Sequence, residues 1–320
     1  MKRLLGSVMD KVGAMVDRVL TGGVLLKIAA VFLVLIILYY PIGMVISNKV
    51  DDDIAYEPPR TEGGSASVDM AAGLIQREVE VNGWVANNPF FFPSGALDNM
   101  PEFQMGILYA LSRYALEMSD QIGRTRGSSQ VDKDLDLAAG RLKLPGTVWY
   151  IDFSTSFWPQ STSEDQYMAA RRALLAYNTR LAKGDAVFEA RADNLQASLD
   201  RFAKDLGSAS ALLDRQIRDG GFFTFKDDNV FYATKGRLYG YAMILKAMGE
   251  DFANVIAERQ LDSAWAQMVQ SLEQAAEMDP LVVFNGTPGG LFPPSHLADQ
   301  GFYLLRSRTQ MNEVIAILQK

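Results

Sequence analysis

Apolar residues recur every three or four positions along most of this chain, the spacing that puts them on one face of an α-helix. Residues 101–119 show the pattern in one apolar stripe: Phe103, Ile107, Leu108, Leu111, Tyr114, Ala115 and Met118. Short apolar runs typical of strands are few and scattered, at 148–153, 222–225 and 281–284. The pattern predicts an all-α fold with minor β pieces.

Helix boundary signals divide the second half of the chain. The sequence STSE at 161–164 reads as a capping box that opens a helix, and Gly184 ends that helix. The next helix carries apolar residues spaced by four and three, like a coiled-coil seam: Phe188, Ala192, Leu195, Leu199, Phe202 and Leu206. Only the residues KGD separate the two helices, so an antiparallel hairpin is expected. Later helices are predicted at 210–218, 229–258, 262–278, 295–305 and 309–319.

One segment breaks the amphipathic pattern, because Ile28 to Ile46 holds 19 consecutive residues without a charge. As a helix it rises about 28 Å, close to the hydrocarbon thickness of a bilayer. Few buried core helices stay uncharged for this length. The run is also long for the core of a cleavable signal peptide, and no small-x-small site follows it promptly. We therefore predict an uncleaved transmembrane helix over 24–46, with an early end or a kink at Pro41.

The charges around this span are asymmetric. Five Lys and Arg residues precede the uncharged run 28–46, whereas Lys49 alone follows that run before Arg60. Counting positive charges puts the N-terminus in the cytoplasm and residues 68–320 across the membrane. Residues 1–49 carry a net charge of +4 and the whole chain −7, so residues 50–320 carry −11. An acidic domain repels phosphate backbones, which argues against a nucleic-acid partner.

Two short segments flank the span. Residues 1–23 have the spacing of an amphipathic helix, which would lie on the cytoplasmic leaflet or bind a partner helix. Residues 47–67 lack periodicity and contain Pro-Pro and Gly-Gly, as expected for a linker. The acidic triplet Asp51-Asp52-Asp53 in that linker is predicted to be a solvated collar, since a Ca²⁺ cage needs spaced ligands.

A stretch rich in phenylalanine, FFFPSGALDN at 90–99, has a second copy at FFTFKDDN, residues 222–229. When Asp98-Asn99 is aligned with Asp228-Asn229, Gly106 aligns with Gly236 and Tyr109 aligns with Tyr239. Each copy precedes a long helix, so the repeat indicates either a duplicated helical unit or a coincidence. The phenylalanines are expected to anchor the turn in the core, and the Asp or Asn to cap the helix.

Candidate chemistry is sparse. The helix starts bring Asp98, Glu102, Asp227 and Asp228 beside aromatic residues, and paired carboxylates in an aromatic cleft are what glycoside hydrolysis uses. Helix capping is the simpler interpretation of the same residues. The loop 124–134 is basic, and its Arg124 and Arg126 would hold an anionic headgroup or phosphate, or would simply be solvated.

Composition excludes several classes of site. The chain has no cysteine, which rules out disulfides, zinc–thiolate sites and cysteine nucleophiles. Its single histidine, His296, leaves no His-rich metal centre and only one base for a Ser-His-Asp triad. No P-loop is present. We predict no cofactor and no metal, and the sequence leans against catalysis.

The apolar anchor, NPFFFPSGALDNMPEFQMGI, RTRGSSQVDKDL and DDNVFYATKGRLYGYAMIL together resemble a family of bacterial inner-membrane proteins known as domain of unknown function 2333. The resemblance covers nearly the whole chain in the same order. It implies a single-pass inner-membrane protein of a Gram-negative bacterium with a periplasmic domain. It implies no activity and no catalytic residue.

Three functional hypotheses follow. The first is a scaffold or interaction protein of the cell envelope, which binds a protein partner or a second copy through the seam of Phe188, Leu195, Leu199 and Phe202. The second is a glycan-binding or glycan-cleaving domain that uses Asp98, Glu102 and Asp228. The third is lipid handling by the phenylalanine clusters near the bilayer, which requires a continuous apolar groove.

Overall fold

The computed structural model describes residues 11, 13–14, 23–123, 131–151, 158–220, 224–280, 282–286 and 294–320. These ranges contain helices and one isolated antiparallel bridge, between Asn285 and Ser295, which confirms the predicted all-α class. The α-helices are α1 Val24–Ser47, α2 Ala66–Gln76, α3 Asn99–Glu117, α4 Lys133–Leu142, α5 Ser163–Ala182, α6 Ala192–Asp219, α7 Phe225–Asp251, α8 Ala253–Glu258, α9 Asp262–Ala276 and α10 His296–Leu318. The π-helical segments Arg77–Val81 and Met118–Ile122 continue α2 and α3, and a 3₁₀ turn at Pro93–Ala96 precedes α3.

Helix α1 carries the apolar span and packs only lightly on the rest of the chain. Its stretch Leu26–Ser47 has a mean hydropathy of 2.5 and none of it is buried. Pro41 lies inside the helix without ending it. The helix is therefore long and apolar enough to cross a membrane, a test that an N-terminal signal sequence also passes.

Side-chain caps begin most of the other helices, as their sequences predict. The predicted capping box is present but lies one residue later, because Thr162 and Asp165 exchange the two hydrogen bonds. A second capping box, formed by Thr224 and Asp227, begins α7. Gly184 follows α5 with a φ of +79°, the left-handed conformation that makes glycine the usual residue after a helix.

Several predicted helix boundaries and pairings are wrong. Helix α6 runs unbroken through 210–218, and α10 unbroken through 305–309, whereas the predicted helix at 229–258 is interrupted at Phe252. Helix α5 packs on α4 and α2, while α6 packs mainly on α10 and α7. The two consecutive helices α5 and α6 thus do not form the expected hairpin, because the nine residues that join them lead α6 to different packing partners.

The two central helices, α3 and α7, form the most extensive contact in the fold. They run parallel, since Gly106 lies against Gly236 and Ala110 against Gly240. A Cβ on Gly236 would come within 3.1 Å of the Gly106 Cα and would collide with the Phe103 carbonyl oxygen. A Cβ on Gly106 would meet the equivalent carbonyl of Ala233. Glycine is therefore required on both sides, because the two backbones touch where they cross.

This crossing has local two-fold character. Each helix presents a glycine to the carbonyl that lies three residues before the glycine of the other helix. The glycines that the sequence repeat aligns, Gly106 and Gly236, are the two residues at the contact point. The structure is thus consistent with a duplicated helical unit.

The segment between α1 and α2 lies along α7 instead of standing free as a solvated linker. The Asp53 carbonyl accepts a hydrogen bond from the Tyr239 hydroxyl at 2.7 Å, and the Ile54 carbonyl accepts one from Lys246 Nζ at 3.0 Å. Further on, the backbone N–H of Ala66 donates to Asp251 at 2.7 Å, at the C-terminal end of α7. We call residues 49–65 the strap.

Buried cations hold the acidic triplet of the strap. Lys235, with no exposed surface, places its Nζ 2.6 Å from an Asp52 carboxylate oxygen. Arg77, 4% exposed, donates to the Asp51 carbonyl at 2.8 Å and forms an ion pair with Glu78 at 2.9 Å. The triplet is therefore paired with the core of the domain, and it differs from the solvated collar predicted from its sequence.

Candidate functional site

The candidate carboxylates lie where α3 and α7 begin, at the same end of the parallel helix pair. Asp98 precedes α3 and accepts a hydrogen bond from the Asn99 N–H at 3.0 Å. Glu102 and Asp228 lie in the first turns of α3 and α7. All three side chains are half-buried. The parallel crossing thus brings together residues that are far apart in sequence.

Electrostatic coupling links these carboxylates. Burial raises the pKa of Glu102, the charge of Asp98 raises it further, and the Arg237 guanidinium opposes the rise. Burial also raises the pKa of Asp228, again with a contribution from Asp98, while a hydrogen bond from the Val283 N–H lowers it. Asp98 is therefore the common neighbour of the other two.

The helix dipoles account for this acidic cluster without a ligand. Two parallel helices place two positive N-terminal ends side by side, each equivalent to roughly half a unit charge. Carboxylates in the first turns offset these charges. Among the residues that the structure describes, no group of three or more Asp, Glu or His side chains is arranged to hold a metal ion.

Asp227 differs from its neighbours, because it is fully buried and both of its carboxylate oxygens accept hydrogen bonds. Its carboxylate accepts from the Gln216 amide at 2.8 Å and from the Thr224 N–H at 3.0 Å. It therefore caps α7 and joins α6 to α7.

Two clefts lie elsewhere on the domain. One, of about 350 Å³, has apolar walls on α3 and on the α4–α5 connection, and its polar lining is Tyr109, Ser112, Arg113, Lys143 and Tyr167. The other, of about 550 Å³, lies between α7 and α9 beside Trp265 and Glu273. Neither cleft includes Asp98, Glu102 or Asp228.

The seam of α6, predicted as a docking surface, faces the chain's own core. Leu195, Leu199 and Phe202 have no exposed surface. The Phe202 ring lies 5.0 Å from Tyr241, and the half-buried Phe188 ring lies 5.6 Å from Phe252. Leu195, Leu199 and Phe202 pack inside the protein, so a partner cannot contact them in this fold. Arg124 and Arg126 lie outside the described residues.

The phenylalanines at 90–92 show the opposite outcome. They were expected in the core, but Phe90 is 82% exposed, Phe91 46% and Phe92 41%. Phe91 also packs against Trp149, with ring centroids 5.7 Å apart. We call Phe90, Phe91, Phe92 and Trp149 the aromatic surface. Sequence reasoning missed it because clustered phenylalanines usually mark a core.

Sequence reasoning also missed the cations that hold the strap. Arg77 and Lys235 look like ordinary surface charges on amphipathic helices. The available signal was the acidic triplet at 51–53, which needs compensating charge if it is not solvated.

The comparisons with known proteins point to one family. A family described as an uncharacterised protein conserved in bacteria, DUF2333, matches residues 15–222 and 223–320. No curated protein and no solved structure matches the chain. The matched ranges cover nearly the whole sequence, and they confirm the resemblance that its motifs indicated. The chain belongs to the DUF2333 family of bacterial proteins.

Proposed function

We propose that this protein is a single-pass inner-membrane scaffold or interaction protein of the bacterial envelope. Its N-terminus lies in the cytoplasm and its helical domain in the periplasm, where the domain binds a protein partner or a second copy. The apolar helix α1 and the excess of Lys and Arg before it support the anchor and its orientation.

The strap is the observation that carries the proposal. An enzyme that meets a diffusing substrate tolerates a loose tether, whereas a scaffold must hold its binding surface at a fixed height and angle. Here the domain is joined to α1 through Lys235, Arg77 and Lys246, two of them buried, and not through a flexible linker. The domain is thus a stiff extension of the membrane helix.

Topology is tested with single cysteines, because the natural chain has none. In cells with a permeabilised outer membrane, an impermeant maleimide is expected to label Val187→Cys, whereas Gly13→Cys reacts only after lysis. Intact mass is expected to show the full 35.3 kDa chain. Labelling of Gly13→Cys in intact cells, or a shortened mature chain, would contradict the anchor.

The scaffold role is tested by native mass spectrometry of the full chain extracted gently from its own membrane. A stoichiometric protein partner or a defined homo-oligomer is expected. A Gly-Ser insertion after Lys49 is expected to lower the fraction of protein found in the complex. The insertion would loosen the strap, so that the domain is no longer held at a fixed distance from the membrane. The same insertion at Gly184, in an exposed turn, is the matched control and is expected to leave the complex intact. A lone protomer, or equal effects of the two insertions, would contradict the proposal.

A glycan-binding role is the second candidate. It is favoured by the coupling of Asp98 with Glu102 and Asp228 at one end of the helix pair. Titration of the purified domain with soluble peptidoglycan fragments tests it, with Asp98→Asn as the variant and Asp136→Asn, on α4, as the control. Binding that Asp98→Asn abolishes would favour a glycan site over the scaffold.

A further inference from the structure

The loop that carries the aromatic surface is attached to α1, the apolar helix. The Tyr40 hydroxyl donates to the Phe90 carbonyl at 2.5 Å, and the Tyr39 hydroxyl donates to the Phe91 carbonyl at 3.2 Å. Pro93 packs so closely on Gly43 that a Cβ there would collide with its ring. The loop therefore lies directly beside the helix rather than above its end.

The position of these contacts sets the depth of the loop. Tyr40 precedes Ser47, the last residue of α1, by seven positions. At 1.5 Å per residue, the Phe90 carbonyl lies about 10 Å below that end of the helix. The apolar run continues to Ile46, so a bilayer that covers the run also covers the loop.

The side chains of the loop suit that position. No charged residue occurs between Glu80 and Asp98. Phe90 is 82% exposed, although it is among the largest apolar side chains. Trp149 joins the same surface through Phe91. Trp and Tyr are enriched at the interface between lipid and water, and Phe is common on the lipid-facing side of segments that lie in that interface.

Four consecutive backbone carbonyls of the loop, at 89–92, accept hydrogen bonds, which matters in an apolar medium because each unsatisfied polar group is costly there. The carbonyls of Phe90 and Phe91 accept from the two tyrosine hydroxyls, and the Phe92 carbonyl accepts from the Gly95 N–H at 3.0 Å. The Pro89 carbonyl accepts from the Phe92 N–H at 3.0 Å. The two bonds from the tyrosine hydroxyls of α1 satisfy the Phe90 and Phe91 carbonyls without water.

We propose that the aromatic surface is a second membrane contact, which inserts into the outer leaflet of the bilayer beside α1. The partner is the acyl-chain and interfacial region of the lipid. This inference rests on the membrane anchor of the proposed function and adds to it. With the strap, the inserted loop gives the domain two attachments to the membrane and so restricts its tilt.

The test is spin-label accessibility on the full chain, reconstituted in vesicles of phosphatidylethanolamine and phosphatidylglycerol. Three single-cysteine variants are compared: Phe90→Cys on the loop, Val34→Cys within α1, and Val187→Cys as the aqueous control. Val34 and Val187 are 53% and 39% exposed apolar residues, so the labels do not disturb a core. Val187 precedes Phe188, which packs against Phe252 beyond the C-terminal end of α7, away from the loop.

Labels at Val34→Cys and Phe90→Cys are expected to collide more often with oxygen than with a polar nickel chelate, and the label at Val187→Cys the reverse. If the label at Phe90→Cys collided mainly with the nickel chelate while the label at Val34→Cys collided mainly with oxygen, loop insertion would be overturned and the anchor would stand. An aqueous label at Val34→Cys would overturn the anchor itself. Spin–spin broadening at Phe90→Cys, with neither quencher reaching it, would overturn lipid contact in favour of a second copy.

A second variant keeps the inference testable if the label itself perturbs the loop. Phe92→Cys, on the same surface, is expected to give the lipid pattern as well, at a depth within a few ångströms of Phe90→Cys. An aqueous pattern at both positions would overturn the inference.

Discussion

The inner face of α6 and the aromatic surface beside α1 contain similar side chains in opposite environments. Leu195, Leu199 and Phe202 have no exposed surface, whereas Phe90 is 82% exposed. Helix α6 is covered by α10 and α7, while the loop at 90–92 lies against the apolar helix α1 and Trp149 and leaves Phe90 largely uncovered. Apolar content therefore identifies surfaces that avoid water, and the neighbouring elements decide whether protein or another apolar medium covers them.

The comparison also explains why the seam is a poor choice for a docking site. A partner that used Leu199 would have to displace the domain's own core. The aromatic surface has no such conflict, because its burial would cost no internal contact. Transfer of a phenylalanine side chain from water to hydrocarbon is worth roughly 1.5–3 kcal/mol.

The largest expected effect is at the seam. Leu199→Ala is expected to lower the free energy of unfolding by about 3 kcal/mol, because the fully buried side chain leaves a cavity. Urea unfolding of the full chain in detergent, followed by circular dichroism, measures it. Leu212→Ala, on the same helix at a 42% exposed position, is the matched control and is expected to cost less than about 1 kcal/mol. Equal costs would show that the seam is not a core.

The next largest effect is expected at the crossing of α3 and α7, where Gly106 and Gly236 touch. Gly236→Ala is expected to cost about 2 kcal/mol, since its Cβ meets the Phe103 carbonyl and forces α3 and α7 apart. Gly140→Ala, in the interior of α4 with open space around it, is expected to stabilise the fold by up to about 1 kcal/mol. Thermal and urea unfolding distinguish the two. A neutral Gly236→Ala would contradict the close crossing.

Glu117, a buried carboxyl where α3 meets α6, is expected to make the free energy of unfolding depend on pH. Burial raises the pKa of Glu117 to about 7, against the opposing charge of Arg201, whose Nε lies 2.6 Å away. Because the folded pKa exceeds the unfolded one, the folded state binds more protons between about pH 4.5 and 7. Stability contributed by this group is thus complete below that window and falls as the pH rises through it.

Glu117→Gln is expected to remove this part of the slope. The difference in unfolding free energy between the wild type and the variant is expected to change by about 1–2 kcal/mol from pH 5 to pH 8. Asp136→Asn, at an exposed position in α4, is the matched control for replacing a carboxylate by its amide. Parallel pH profiles for the wild type and Glu117→Gln would show that burial does not shift this carboxyl.

The smallest expected effect is on the aromatic surface. Phe90→Ser is expected to change the free energy of unfolding by less than about 0.5 kcal/mol, because the side chain makes little internal contact. The same urea experiment measures it. A loss as large as that of Leu199→Ala would show that the phenylalanine belongs to the core, as its sequence first suggested.

Much of the secondary structure could be predicted from particular residues. The apolar run at 28–46, the Gly184 stop and the cap beside Ser161 are local signals, and each corresponds to an element of the fold. Helix α6 shows the limit. The sequence predicted a separate helix at 210–218, but burial of Leu206 and Leu213 on the same face keeps α6 continuous.

The candidate site was predicted in part. Aligning Asp98 with Asp228 anticipated that both lie at helix starts, and the aligned glycines mark where the two helices cross. The sequence did not show that Asp227 is engaged by Gln216, because that contact depends on how α6 meets α7. Nor did it show Lys235 beside Asp52, a pairing across 183 positions of the chain.

Local composition and periodicity specify the helical class, the apolar span and the charge asymmetry around that span, and the resemblance of several motifs indicated the family. Only the tertiary structure decided which apolar residues form the core, which carboxylates are neighbours and how the strap joins the domain to α1. Periodicity specifies the face of a helix that avoids water, but the partner of that face is set by long-range packing. The same physics buries Leu199 in protein and leaves Phe90 exposed beside the apolar helix α1.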